Sequence, residues 1–264
     1  MKIIQLSDLH ITAPGQTLFG ADPSDHLARC IASINRDHAD ADLCVVTGDL
    51  THDGAAAAYA ELATCLSSLR VPVRLLVGNH DDRAAFRDAF PHTPVDENGF
   101  IQSIHDCAAG RLIFLDTLQP GTAEGRLCEA RLDWLRDALA GAEGRDAYVF
   151  SHHPAFDIAL PSMDWIRLAE FASLHEIVAR SGNVRHLFSG HVHRPSAGTW
   201  HGIPFSTTRG TNHQHALEFG HTGPATTVME PPGCTVIFIR ESGVVVHFHD
   251  LLDASRRYPY PLTQ

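Results

Sequence analysis

Lys2-Ile3-Ile4-Gln5-Leu6-Ser7-Asp8-Leu9-His10 sets a short strand-forming run directly before a carboxylate and an imidazole, and this arrangement returns four times along the chain. Leu43-Cys44-Val45-Val46 leads to Gly48-Asp49, and Val73-Arg74-Leu75-Leu76-Val77 leads to Gly78-Asn79-His80-Asp81. Tyr148-Val149-Phe150 leads to His152-His153-Pro154, and His186-Leu187-Phe188 to Gly190-His191-Val192-His193. Apolar runs of this length, rich in β-branched and aromatic residues, read as buried strands. Oxygen and nitrogen ligands therefore collect at the exits of neighbouring strands.

Helices are predicted over residues 23–38, 54–69 and 82–90, and further on over 129–139 and 165–179. The first has clear start signals: Asp22 can cap, Pro23 suits the first helical position, and Asp25 favours the helix dipole. Alternation of strand and helix predicts crossover units on a largely parallel sheet. Residues 100–105 and 111–115 flank a turn ending in Gly110, a hairpin that makes the sheet mixed. Past residue 198 the chain reads as strand and loop only, which predicts a second sheet packed against the first. The stripes of Leu and Ile, with Trp134 and Trp165, are assigned to the core.

At 264 residues and 44% hydrophobic the chain can bury one large core. It reads as one α/β domain over 1–264, with 209–232 as a cap or oligomer-contact segment, because that stretch carries turn-forming Gly and Pro and no periodicity. A net charge of -11 with 20 scattered Lys and Arg excludes a groove for polymeric nucleic acid, although a bound metal pair would still leave the local site positive. The six cysteines form no C-x-x-C pair and read as free thiols in a reducing compartment. No run approaches the ~18 apolar residues a membrane helix needs, and the charge at Asp8 comes too soon for a signal-peptide core, so a cytoplasmic protein is expected.

Carboxylate, amide oxygen and imidazole without thiolate suit Mn, Fe, Co or Zn rather than a structural thiolate site. Asp8 and His10 are two apart, as are His191 and His193; on an extended strand exit each pair points to one side and can share an ion. Two ions about 3.5 to 4 Å apart need a bridging anion, which Asp49 can supply, while Gly48 lets backbone and metal come close. Asn79 would add a neutral oxygen. A water shared by the two ions would lose its proton easily and become a nucleophile, which describes a hydrolytic site.

In order, D-x-H, G-D, G-N-H-[DE], H-x-P and G-H-x-H, the motifs resemble those of the calcineurin-like metallophosphoesterase family. The resemblance implies a four-layer αββα sandwich of two mixed sheets, with a dinuclear metal site at the strand C-terminal ends. It implies one ion on Asp8, His10, Asp49 and His193, a second on Asp49, Asn79, His152 and His191, and attack by a metal-bridging hydroxide. His80 is similar to the family's non-ligand histidine near the leaving-group oxygen, with Asp81 orienting it; His153 would be the variable middle residue of H-x-P. Leu18-Phe19-Gly20, Asn79-His80-Asp81-Asp82, His152-His153-Pro154 and Gly210-Thr211-Asn212-His213-Gln214 further resemble the bacterial class III cyclic nucleotide phosphodiesterases and related glycerophosphodiesterases. That subgroup implies a small phosphodiester substrate and a homo-oligomer; Asn79, His80, Arg209 and His213 are the candidate substrate contacts, the last two in a region that varies within the family. A phosphomonoesterase or protein phosphatase of the same fold, or a non-catalytic scaffold, stand as alternatives. Of the other histidines, His52 lies close enough to Asp49 to border the pocket; His26, His38, His92, His105, His175, His186, His247 and His249 read as structural.

Overall fold

The computed structural model describes residues 1–256 and 258. The chain runs β1 (Lys2–Leu6), α1 (Pro23–Asp37), β2 (Leu43–Thr47), α2 (Ala56–Leu66), β3 (Val73–Leu76) and α3 (Arg83–Ala89), then β4 (Ser103–Cys107), β5 (Gly110–Leu115), α4 (Glu129–Ala140) and β6 (Ala147–Ser151). It continues through α5 (Pro161–Asp164), α6 (Phe171–Ser181), β7 (Val184–Ser189), β8 (Ser196–Trp200), β9 (Ile203–Thr207), β10 (Gln214–His215), β11 (Thr227–Val228), β12 (Gly233–Arg240) and β13 (Gly243–Asp250). Asp22 caps α1 as its sequence predicts, accepting from the backbone N–H of Ser24 and Asp25.

The strands form two large mixed sheets, ordered β13-β12-β1-β2-β3 and β4-β5-β6-β7-β9-β8. In the first, β1, β2 and β3 run parallel, and β12 joins the open edge of β1 antiparallel. Alternate side chains then separate the layers. Ile4, Leu6, Cys44 and Val46 face outward against Leu27, Ile31 and Ile34 of α1 and the apolar faces of α2 and α3. Ile3, Leu43 and Val45 face inward against Leu112, Phe114, Phe150 and Phe188 of the second sheet. The outer face of that second sheet is covered by Leu132, Leu135 and Leu139 of α4 and by Leu174, Ile177 and Val178 of α6. Helix, sheet, sheet and helix make four layers.

Three expectations need correction. The helix-poor end does not form the second sheet by itself: β8 and β9 only extend the sheet that β4–β7 begin, while β12 and β13 close the edge of the first sheet. An unpaired β1 would expose a row of backbone donors and acceptors, and β12 satisfies them. Next, no helix begins at residue 165. The one-turn α5 ends before it and α6 starts at Phe171, because Glu170 is held by the Leu127 N–H and the Arg126 guanidinium. Trp165 accordingly lies outside the core, 65% exposed. Finally, the segment 209–232 is not featureless: Gln214–His215 pairs with Thr227–Val228 in a small antiparallel ribbon.

The six cysteines are free thiols; Cys30, Cys44 and Cys234 are buried, Cys65 and Cys107 half-buried, and Cys128 exposed. Among the described residues no helix is long and apolar enough to cross a membrane.

His186 in β7 is buried with its Nε2 3.0 Å from the Ser206 hydroxyl, and burial pushes the imidazole down to about 4. Folding thus keeps neutral a group that the unfolded chain protonates below its usual 6.5. Its contribution to stability is present above that value and lost as pH falls toward 4. Urea unfolding at pH 7 and pH 5 is expected to show the wild type losing about 2 kcal/mol more than His186→Gln across that interval.

Candidate metal centre

The first sheet delivers Asp8 and His10 beyond β1, Asp49 beyond β2 and Asn79 beyond β3; the second delivers His152 beyond β6 and His191 and His193 beyond β7. The seven meet where the C-terminal ends of the two sheets adjoin. Ligand atoms of Asp8, His10, Asp49 and His193 all lie within 4.8 Å of one another. Beside them His152 Nε2 is 3.1 Å from Asn79 Oδ1 and 3.2 Å from His191 Nδ1. Asp49 joins the groups: its Oδ2 is 3.7 Å from His10 Nε2 and its Oδ1 3.4 Å from His152 Nε2.

Convergence does not arise from extended alternation, as the two-residue spacing suggested. Asp8, His10, Asp49, His191 and His193 all have positive φ, between 48° and 69°. This left-handed conformation costs an ordinary residue about 1–3 kcal/mol and persists only where surroundings enforce it. Here the enforcement is backbone pairing between the exits: the N–H groups of Asp8 and His10 donate to the carbonyls of Gly48 and Asp49, and the Gly190 N–H donates to the carbonyl of His152.

A surrounding layer fixes the imidazoles. The carbonyl of Thr47 lies 2.7 Å from His152 Nδ1 and that of His213 lies 2.9 Å from His193 Nδ1, so these nitrogens carry protons, and each Nε2, which faces a carboxylate, would hold a cation in exchange for its own proton. Burial, the largest influence, drives His10 and His191 well below the usual imidazole range, leaving them neutral. Burial would raise Asp8, but His193 pulls it below the ordinary range; for Asp49, His152 outweighs burial in the same way. Burial opposes a proton on His152, yet Asp49 holds that imidazole up at about 9.

This donor set fits a pair of cations. Two buried carboxylates have only imidazoles as ion-pair partners among the described residues, and buried anions require cationic charge. A Cβ at Gly78 would collide with Asp49 Oδ1 and come within 2.7 Å of His152 Nε2, so the glycine keeps the space between the donors clear.

His80 is half-buried at the pocket, with Nδ1 2.7 Å from the carbonyl of His52 and its ring stacked on the His52 ring at 5.2 Å. The His52 carbonyl, not Asp81, orients it. Asp81 instead accepts from the N–H groups of Leu50, Thr51 and Gly78 and from the hydroxyl of Tyr59, clamping the Asp49 and Asn79 loops together. Burial, and secondarily Asp49, push its carboxyl up to about 6.

The pocket over these residues has a volume of about 280 Å³ and is lined also by His213 and by His215, which sequence reasoning missed. His215 stacks on His193 at 4.4 Å; its spacing two residues after His213 was the available signal. Arg209 lies elsewhere, in a separate cleft with Phe248, His249 and Asp250, facing Glu230. His153 is buried behind His191, with Nδ1 2.8 Å from the Thr117 hydroxyl.

A four-layer sandwich that gathers carboxylate, amide and imidazole where its sheets adjoin is the architecture of a metallophosphoesterase. Residues 1–195 match the calcineurin-like phosphoesterase family, and the chain belongs to it. It is 42% identical to a probable cyclic nucleotide phosphodiesterase of Rhodopseudomonas palustris, over 94% of this chain and 91% of the relative. It is 30% identical to a probable glycerophosphodiester phosphodiesterase of Arcobacter nitrofigilis, over 98% and 97%. Its fold superimposes on a dimetal phosphatase of Danio rerio with a TM-score of 0.69, 16% identity and 96% of both chains covered.

Gly78→Ala is expected to lower metal retained after dialysis at least tenfold, read by elemental analysis, while the far-ultraviolet circular dichroism stays that of the wild type.

Proposed function

We propose that the protein hydrolyses a small phosphodiester, a 3′,5′-cyclic nucleotide such as cyclic AMP or a glycerophosphodiester, at this centre. The observation that carries the proposal is Asp49, which turns one carboxylate oxygen to each half of the donor cluster. Asp8, His10, Asp49 and His193 would hold one ion and Asp49, Asn79, His152 and His191 the other, drawn from Mn, Fe, Co or Zn. Bound there, such a pair neutralises phosphoryl charge and acidifies water.

The chain's own residues account for the rest. Nδ1–H of His80 is spent on the His52 carbonyl, so the proton for the departing oxygen would come from Nε2 of the imidazolium form, which carries one on each nitrogen and leaves the ring neutral after transfer. His213 is pushed down to about 3, by burial first and then by His193 and His215, so it meets the substrate uncharged. Among the described residues no lysine or arginine lines the pocket, so a singly charged diester suits it better than a doubly charged monoester. The names of the two relatives support a diester in the same way.

With added Mn, the rate on a bis-aryl phosphodiester is expected to exceed that on the corresponding monoester. His80→Ala should lower kcat about 10²–10⁴-fold with bound metal unchanged. Loss of metal in that variant would remove His80 from its assigned role, and a metal-replete wild type inert to every ester would favour a scaffold.

A further inference from the structure

Opposite the imidazole floor, the pocket is walled by Phe19, Met163, Trp165, Ile166, Pro224 and Ala225. Phe19 and Trp165 are 52% and 65% exposed, and both face this pocket. We propose that this wall is the subsite for the organic group of the substrate and that the group is a planar aromatic one, a nucleobase or an aryl ring, rather than glycerol or a short alkyl chain. The proposal rests on the reading of the centre as a diester hydrolase.

The wall is built onto the metal centre. Leu160 and Met163 are buried against Val192, the residue between His191 and His193, and Ile158, Ile166 and Ala225 pack on that cluster. Trp165 follows directly on α5, where the Asp164 carboxylate accepts from the Ile158 N–H and the Asp164 carbonyl from the Arg167 guanidinium. The chain beyond is pinned by the Leu168 N–H donating to the carbonyl of Pro154, two residues from His152. On the other side, Phe19 meets the His213 ring edge-on at 4.8 Å, and the Leu18 and Ala21 backbones bond each other around it. The two aromatic rings are thus carried by loops tied to the residues that hold the reacting phosphate.

The chemistry of the wall selects its ligand. A glycerol arm brings hydroxyl groups that need partners, and an unpaired one is penalised when water leaves. Beyond the donor cluster and its flanking imidazoles and aromatic rings, Ser162 and Thr227 are the polar groups lining the pocket among the described residues. A flat π-system meets the wall with its apolar face and leaves its polar edge to water at this open wall: it covers the exposed face of Trp165, and stacking of a base on an aromatic side chain strengthens binding about tenfold to hundredfold.

The test compares kcat/KM on cyclic AMP and on glycerophosphoethanolamine for wild type, Trp165→Ala and Trp165→Phe, with solution mass measured by light scattering. The proposal expects Trp165→Ala to lose about tenfold to hundredfold on cyclic AMP, mainly through KM, and to shift the ratio of the two substrates at least tenfold. Trp165→Phe should restore most of the loss. In the metal-loaded protein, 5′-AMP should quench tryptophan emission in the wild type and not in Trp165→Phe. Equal losses on both substrates, no loss on either, or quenching that survives in Trp165→Phe would overturn the proposal. So would an unchanged ratio with a reduced solution mass, which would assign the wall to a contact between two copies of the chain. A metal-loaded wild type inert to every diester would remove the hydrolase reading beneath it, whereas one that hydrolyses diesters with a Trp165-independent ratio overturns this inference alone.

Discussion

Two carboxylates, Asp8 and Asp49, lie fully out of water where the two sheets adjoin, with imidazoles as their ion-pair partners. Charge buried in that way must be matched by cations, and the rest of the architecture serves to make the match possible. Neither sheet alone carries a complete donor set. The first contributes both carboxylates, His10 and the amide of Asn79, and the second contributes three imidazoles, so the centre exists only when the sheets are packed face to face. The inter-sheet core of Ile3, Val45, Phe114, Phe150 and Phe188 is in this sense part of the site. Gln5 adds a polar tie, donating to both the Thr47 hydroxyl and the Ser189 carbonyl across the gap between β2 and β7.

Holding five residues of the donor cluster at positive φ is a cost that the neighbouring backbone offsets. Strand exits bond to one another past the end of the regular ladder, and Asp81 gathers the N–H groups of two loops onto a single buried carboxylate. Carbonyls of Thr47 and His213 fix the tautomers of His152 and His193. These contacts leave the donor atoms little freedom to rearrange, so the protein itself orders the cluster.

The pocket divides into a floor of imidazole and carboxylate and a wall of apolar and aromatic groups. Val192 connects the two by packing beneath the wall while its neighbours in sequence belong to the floor.

The sequence by itself determined the alternation of strand and helix in the crossover regions, the cap of α1, the family and the chemistry of the donors. Each of these is local: a short apolar run, a capping carboxylate, or a ligand pair is legible in a short window. Tertiary structure alone decided which sheet β8, β9, β12 and β13 would join, because that depends on which edges are left open elsewhere. It decided that Asp81 clamps two loops while His52 orients His80, since the N–H groups of Leu50 and Thr51 and the carbonyl of His52 come from a different strand exit, brought alongside only when β2 and β3 pair. It also placed Arg209 in a different cleft and Trp165 at the pocket mouth, because the reach and exposure of a loop side chain depend on what packs beneath the loop, and no periodic pattern in the chain records that.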